Sequence, residues 1–188
     1  EVRLGFKYLH DKKRIRSPLA RRGYEMLTPN WEDIPEIVRF RLEEHVHEKG
    51  AAKVAAVLSP FMACEEAWLL ARFVREVAPQ AVLAMGPVPM EGEDYLFPVG
   101  AKGDAVRFTI LKEKCPNRRG VEMVLHAAGG DIVTFEQFTE RSGKGDFSAA
   151  WIVGGYPKPW VDKNTAKIAA NFELLILQDL FVNEMMAG

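Results

Sequence analysis

The chain has 188 residues, 48% of them apolar and 27% charged, with 25 Lys/Arg against 26 Asp/Glu. That length supports one domain with a proper core, the composition excludes a disordered chain, and a net charge of −1 removes any global electrostatic case for nucleic acid. Two cysteines, Cys64 and Cys115, exclude a disulfide framework, a cysteine-based zinc site and a self-contained iron–sulfur site within these residues, and no apolar run reaches the roughly 18 residues that a membrane span needs.

Residues 1–23 hold eight Lys/Arg (Arg3, Lys7, Lys12, Lys13, Arg14, Arg16, Arg21 and Arg22) against Glu1 and Asp11, a surplus of six positive charges. Such a run is a solvated arm, an arm packed on a neighbour, or a contact for an anionic partner. The organisation expected is a basic arm over residues 1–30 that packs on a neighbouring domain, then an α/β domain over residues 31–188. The chain begins at Glu1 and ends at Met185-Met186-Ala187-Gly188, which reads as a piece excised from a larger protein.

Asp33-Ile34-Pro35-Glu36 predicts a helix start, with Asp33 as cap, and Ile34, Ile37, Val38, Leu42 and Val46 form its apolar stripe up to Gly50. Lys53 to Leu58, closed by Ser59-Pro60, reads as a buried parallel strand. A helix with Glu65 and Glu66 in its first turn runs to Pro79, and Ala81–Met85 is a second buried strand broken by Gly86-Pro87. Residues 86–106 read as a long loop and Arg107–Leu111 as a possible strand. Asn117 is the expected cap of a helix ending at Gly129-Gly130, and a short helix is expected over Phe135–Glu140. Ala149–Val153, stopped by Gly154-Gly155, and Leu174–Gln178 are the strongest strand signals, with a helix over Lys163–Asn171 between them. This alternation predicts an α/β Rossmann-like three-layer domain with a mainly parallel sheet.

In an open α/β sheet, ligands bind beyond the carboxyl ends of the strands. Three such ends carry unusual residues: Ser59-Pro60, Gly154-Gly155-Tyr156-Pro157 and Gln178-Asp179. The glycines either turn the chain or let backbone approach a ligand closely. No complete nucleotide-binding glycine motif is present. His45 and His47 are two apart on a helix, so they make no metal pair and read as surface residues. Cys64, at a helix start, reads as a small buried hydrophobe with no partner for nucleophilic or redox chemistry. No catalytic and no metal-ligating residue is identified.

Three stretches resemble the molybdopterin oxidoreductase family, most closely the large iron–sulfur subunit of NADH:quinone oxidoreductase (respiratory complex I). They are Arg14-Ile15-Arg16-Ser17-Pro18-Leu19 followed by Trp31; Val57-Leu58-Ser59-Pro60 followed by Glu65-Glu66-Ala67; and a long series holding Pro116–Val121, Trp151–Pro157 and Leu177–Glu184. The resemblance implies a Rossmann-like domain of an electron-transfer oxidoreductase of the respiratory chain. In molybdenum members the matching loop and strand end lie near the pterin dinucleotide, so Ser59, Gly154, Gly155, Tyr156, Pro157, Gln178 and Asp179 would be the cofactor-facing residues if a pterin dinucleotide binds. Tyr156 stands where the family has Asn, Asn183-Glu184-Met185 where it has Thr-Glu-Thr, and no cluster cysteine is present. These departures favour a scaffold domain without its own cofactor, inactive alone, in a parent protein that carries iron–sulfur clusters elsewhere. The resemblance further implies partners among other domains and subunits of a respiratory-type complex, and a cytoplasmic location peripheral to the inner membrane without a span of its own. The alternatives are a cofactor-binding fragment of an active, formate dehydrogenase-like molybdopterin oxidoreductase, and a free-standing α/β module for a nucleotide or anion.

Overall fold

A computed structural model of the chain describes residues 10–186. Two of the basic residues of the arm, Arg3 and Lys7, lie outside the described residues. The arm forms a small hairpin of β1 (Ala20–Arg22) and β2 (Glu25–Leu27). The domain then builds a five-stranded sheet from β3 (Val54–Leu58), β4 (Val82–Met85), β7 (Ile132–Val133), β8 (Ala149–Val153) and β9 (Leu174–Gln178). A separate antiparallel hairpin, β5 (Tyr95–Phe97) with β6 (Phe108–Ile110), projects from the connection after β4.

All pairings in the main sheet are parallel and the order is β7-β4-β3-β8-β9. The chain therefore starts in the middle, winds outward to β7, returns beside β3 and winds outward again to β9. The strand order reverses between β3 and β8, which is the doubly wound arrangement with its ligand crevice at the carboxyl ends of those two strands. Parallel strands need helical crossovers, and these supply the outer layers. They are α1 (Ile34–Lys49), α2 (Cys64–Val77), α3 (Arg118–Ala128), α4 (Phe135–Gly143) and the short α5 (Lys163–Lys167), which a 3₁₀ turn extends to Asn171.

The strands read as continuous apolar runs because both faces are covered. Along β3, Val54, Ala56 and Leu58 pack with Leu42 of α1, Leu70 and Val74 of α2 and Val121 and Leu125 of α3. The alternate residues Ala55 and Val57 pack on the other face with Phe138, Phe147 and Ile168. There Phe138 stacks between Phe147 and Phe172 at centroid distances of 5.9 and 6.3 Å. The three-layer α/β reading thus holds, with α1–α3 on one face and α4 and α5 on the other.

Two local expectations change. In α1 the stripe turns so that Leu42 and His45 are buried while Ile37 is exposed. His45 is therefore no surface residue: its Nε2 lies 2.8 Å from Ser148 Oγ at the amino end of β8. Ser148 also ties the strands together there, since its N–H donates to Lys53 O and its carbonyl accepts from Glu173 and Leu174. Cys64 is exposed, as the first residue of α2, with its sulfur 3.4 Å from the Asn117 amide nitrogen. Glu66 rather than Cys64 serves that helix start, by accepting from Ala63 N at 2.9 Å.

Burial holds the His45 imidazole below its ordinary pKa of 6.5, against the opposing charges of Glu173 and Glu48 and with the help of Lys49. A depressed folded-state pKa means that the unfolded chain binds the proton first. The stabilisation is fully present above pH 6.5 and is lost as the pH falls from there through the folded-state value. Urea midpoints measured at stepped pH are expected to decline over that window, and His45→Gln is expected to flatten the decline. A variant that keeps the full wild-type slope would refute the assignment.

Candidate functional site

The carboxyl end of the sheet gathers the sequence-predicted residues. Ser59 follows β3, Gly154 to Pro157 follow β8, and Gln178 and Asp179 end β9. Because β3 and β8 are neighbours at the reversal of strand order, their ends face one crevice. What the side chains at these strand ends do depends on packing between elements far apart in sequence.

Tyr156 turns inward and is buried to 3% exposure. Its hydroxyl donates to Pro87 O at 2.8 Å, and burial pushes its pKa well above the phenol range. Ser59 Oγ accepts from Phe61 N at 3.2 Å. A close approach makes this fit possible. A Cβ on Gly86 would stand 2.7 Å from the Tyr156 hydroxyl oxygen, so glycine is required at the end of β4. Phe61 meets the Tyr156 ring in a tilted contact and Trp160 stacks on it, each at a centroid distance of 4.9 Å. Phe135 then meets Trp160 at 6.3 Å. An aromatic row therefore runs across the carboxyl end, where a doubly wound sheet otherwise leaves its crevice.

Asp179 is the second organiser. Its Oδ1 accepts from Gly155 N at 2.9 Å and from Leu180 N at 2.7 Å. Its Oδ2 accepts from Trp160 Nε1 at 2.8 Å and from Asn183 Nδ2 at 2.9 Å. One carboxylate thus joins the loop after β8, the aromatic row and the turn after β9. Gly154 allows it to come this close, since a Cβ there would meet the carboxylate at 2.5 Å. The Gly154 amide is already given to Gln178 O at 2.8 Å. Pro157 and the Gln178 side chain are exposed at the rim.

The row separates two hollows. On the face of α4 and α5 lies one of about 550 Å³, between Trp160, Phe135, Glu136 and Asp162. On the α2 face lies an open groove of about 890 Å³. Its lining is mixed: Leu70, Phe73, Trp151 and Val153 are apolar, Gly154, Gly155, Gln178 and Asp179 bring the ends of β8 and β9 into it, and Arg14 and Arg16 of the arm line it together with Glu66. The arm lies on this same domain: Ile15 N donates to Leu180 O at 2.8 Å and Arg14 bridges to Phe181. Nothing local in the sequence ties the arm to a strand end more than 160 residues later.

Tyr156 is buried at this end of the sheet, and the Gly154 and Gly155 amides and both Asp179 oxygens already have partners within the chain, so a pterin dinucleotide could use these groups only by displacing those partners. Among the described residues no group of three His, Cys, Asp or Glu side chains could hold a metal ion, and no helix is long and apolar enough to cross a membrane. Compared with protein-family models and with curated proteins, the chain matches none.

Proposed function

We propose that the chain is a scaffold domain of an electron-transfer oxidoreductase, of the kind represented by the large iron–sulfur subunit of NADH:quinone oxidoreductase. Its part is to hold a cluster-bearing domain and neighbouring subunits in place, at a membrane surface without spanning it. The observation that carries this reading is the Tyr156 plug. A doubly wound sheet presents a ligand crevice at its strand reversal, and here a buried tyrosine, hydrogen-bonded to Pro87 O and in contact with the rings of Phe61 and Trp160, occupies that end of the sheet. One of the residues that depart from the family pattern, Tyr156, is the residue buried there. Both glycines and the acidic strand end then serve the fold instead of a cofactor.

The test is elemental and pterin analysis of the parent protein as purified from its source. Iron and acid-labile sulfide are expected, with molybdenum, tungsten and extractable pterin far below one per chain. A near-stoichiometric metal and pterin content would instead require Tyr156 to leave the crevice and would support the active molybdopterin reading. Absence of iron as well would favour the free-standing module.

A further inference from the structure

We propose that the β5–β6 ribbon is a dimerisation surface, whose exposed apolar face packs on the same face of a second copy of this chain. The proposal does not rest on the scaffold reading. Successive side chains of a strand point to opposite faces, and the register sets Tyr95 opposite Ile110 and Phe97 opposite Phe108. These four side chains therefore share one face, and Phe97 stacks on Phe108 at a centroid distance of 4.8 Å. Each of the four is between 42% and 56% exposed. The ribbon is a sheet of its own, so among the described residues no third strand joins it. A lone two-stranded ribbon is marginal in water and needs further strands or a packed face. Its base is nevertheless fixed. Lys114 N donates to Pro89 O at 2.7 Å, Glu91 N to Lys112 O at 2.8 Å, and Lys112 N to the Asp94 carboxylate at 2.8 Å.

Area and charge name the occupant. Aromatic side chains offer about 150–250 Å² each, so three rings and an isoleucine at these exposures present about 400 Å². Val99, two residues beyond β5 and 74% exposed, brings the face to about 500 Å². Two copies face to face then bury about 1,000 Å², the lower bound for a specific interface, so the dimer is expected to be weak. No strand residue of the ribbon is charged, and residues 91–114 hold four Lys/Arg against five Asp/Glu. Two copies therefore meet without like charges at the centre, and an anionic lipid surface finds no cationic surplus to hold. A two-fold axis needs the same patch on both subunits, and an uncharged face of aromatic and aliphatic side chains is complementary to itself.

The test is sedimentation equilibrium of the full 188-residue chain, from about 1 to about 500 μM. The mass is expected to rise toward that of a dimer. Amide exchange in β5 and β6 is expected to slow with concentration while β3 and β8 stay unchanged. Phe108→Lys is expected to raise the dissociation constant about tenfold or more, whereas Thr109→Lys, on the opposite face of the ribbon, leaves it within about twofold. The exchange measurement needs no variant, so the proposal can fail even if Phe108→Lys loosens the ribbon. A mass that stays at one chain throughout would overturn it and leave the face to a different polypeptide. So would dimerisation that Phe108→Lys spares, equal weakening by Thr109→Lys, or exchange in the ribbon that ignores concentration. Binding to phosphatidylcholine vesicles that Phe108→Lys abolishes would overturn it as well, by assigning the face to lipid. The metal and pterin analysis reads the redox centres of the parent protein and not this ribbon, so the two ideas fail separately.

Discussion

Asp179→Ala is expected to destabilise the chain by about 2–4 kcal/mol, lowering the melting temperature by about 5–15 °C. Four donors lose their acceptor at once: the Gly155 and Leu180 amides, the Trp160 indole and the Asn183 amide. Hydrogen bonds to a charged acceptor contribute about 1.5–3 kcal/mol each. Asp179 is only partly buried, so water can reach some of the orphaned donors, and the total stays well below the sum. The damage should be local before it is global. Amide exchange at Gly155 and Leu180 is expected to accelerate, while β3 and β4 keep their protection. Asp179→Asn should fall between the two, because its amide keeps one oxygen but turns a donor toward donors. An Ala variant within about 0.5 kcal/mol of wild type with unchanged exchange at Gly155 would show that the carboxylate does not organise this end of the sheet.

The same residues show how far sequence carries and where it stops. β3, β8 and β9 are legible because each is a dense apolar run closed by a polar or small residue, and the strand ends could be named for that reason. β7 is not, since two residues make no run; it exists because Leu83 N donates to Asp131 O beside it. The strand expected over Arg107–Leu111 exists as β6, yet its partner β5 sits inside the stretch that reads as loop, and both lie outside the main sheet. His45 joins the buried face of α1 through Ser148, 103 residues away, which no helical period can reveal. For the site, the gathering of Ser59, Gly154, Gly155 and Asp179 depends on strand order, a long-range property. Whether Tyr156 points into the crevice or out of it depends on the space beside Gly86. The signal available was the glycine itself, directly after a buried strand, where the missing side chain leaves room for another.

Tyr156→Ala tests that space directly and carries the other large expected effect. Truncating a fully buried aromatic to alanine costs about 3–5 kcal/mol through lost burial and the cavity left behind. Here the loss includes the ring contacts with Phe61 and Trp160 and the bond to Pro87 O. A fall in melting temperature of about 10 °C or more is expected. Tyr156→Phe keeps the ring and should cost only about 1–2 kcal/mol, the share of the one hydroxyl bond. The decisive readout is rescue. If the side chain is a plug in a preformed crevice, the Ala variant holds an apolar hollow with polar acceptors at its end, and such hollows bind small aromatic molecules. Added p-cresol, which is the missing side chain as a free molecule, should raise the melting temperature of Tyr156→Ala in proportion to its occupancy and leave the wild-type protein unmoved. Benzene or toluene should rescue less, for want of a hydroxyl to reach Pro87 O. An Ala variant that melts like wild type would mean that Tyr156 fills nothing. A destabilised variant that p-cresol cannot rescue would mean that the crevice collapses without its side chain, so that the space was made by Tyr156 and never stood ready for a ligand.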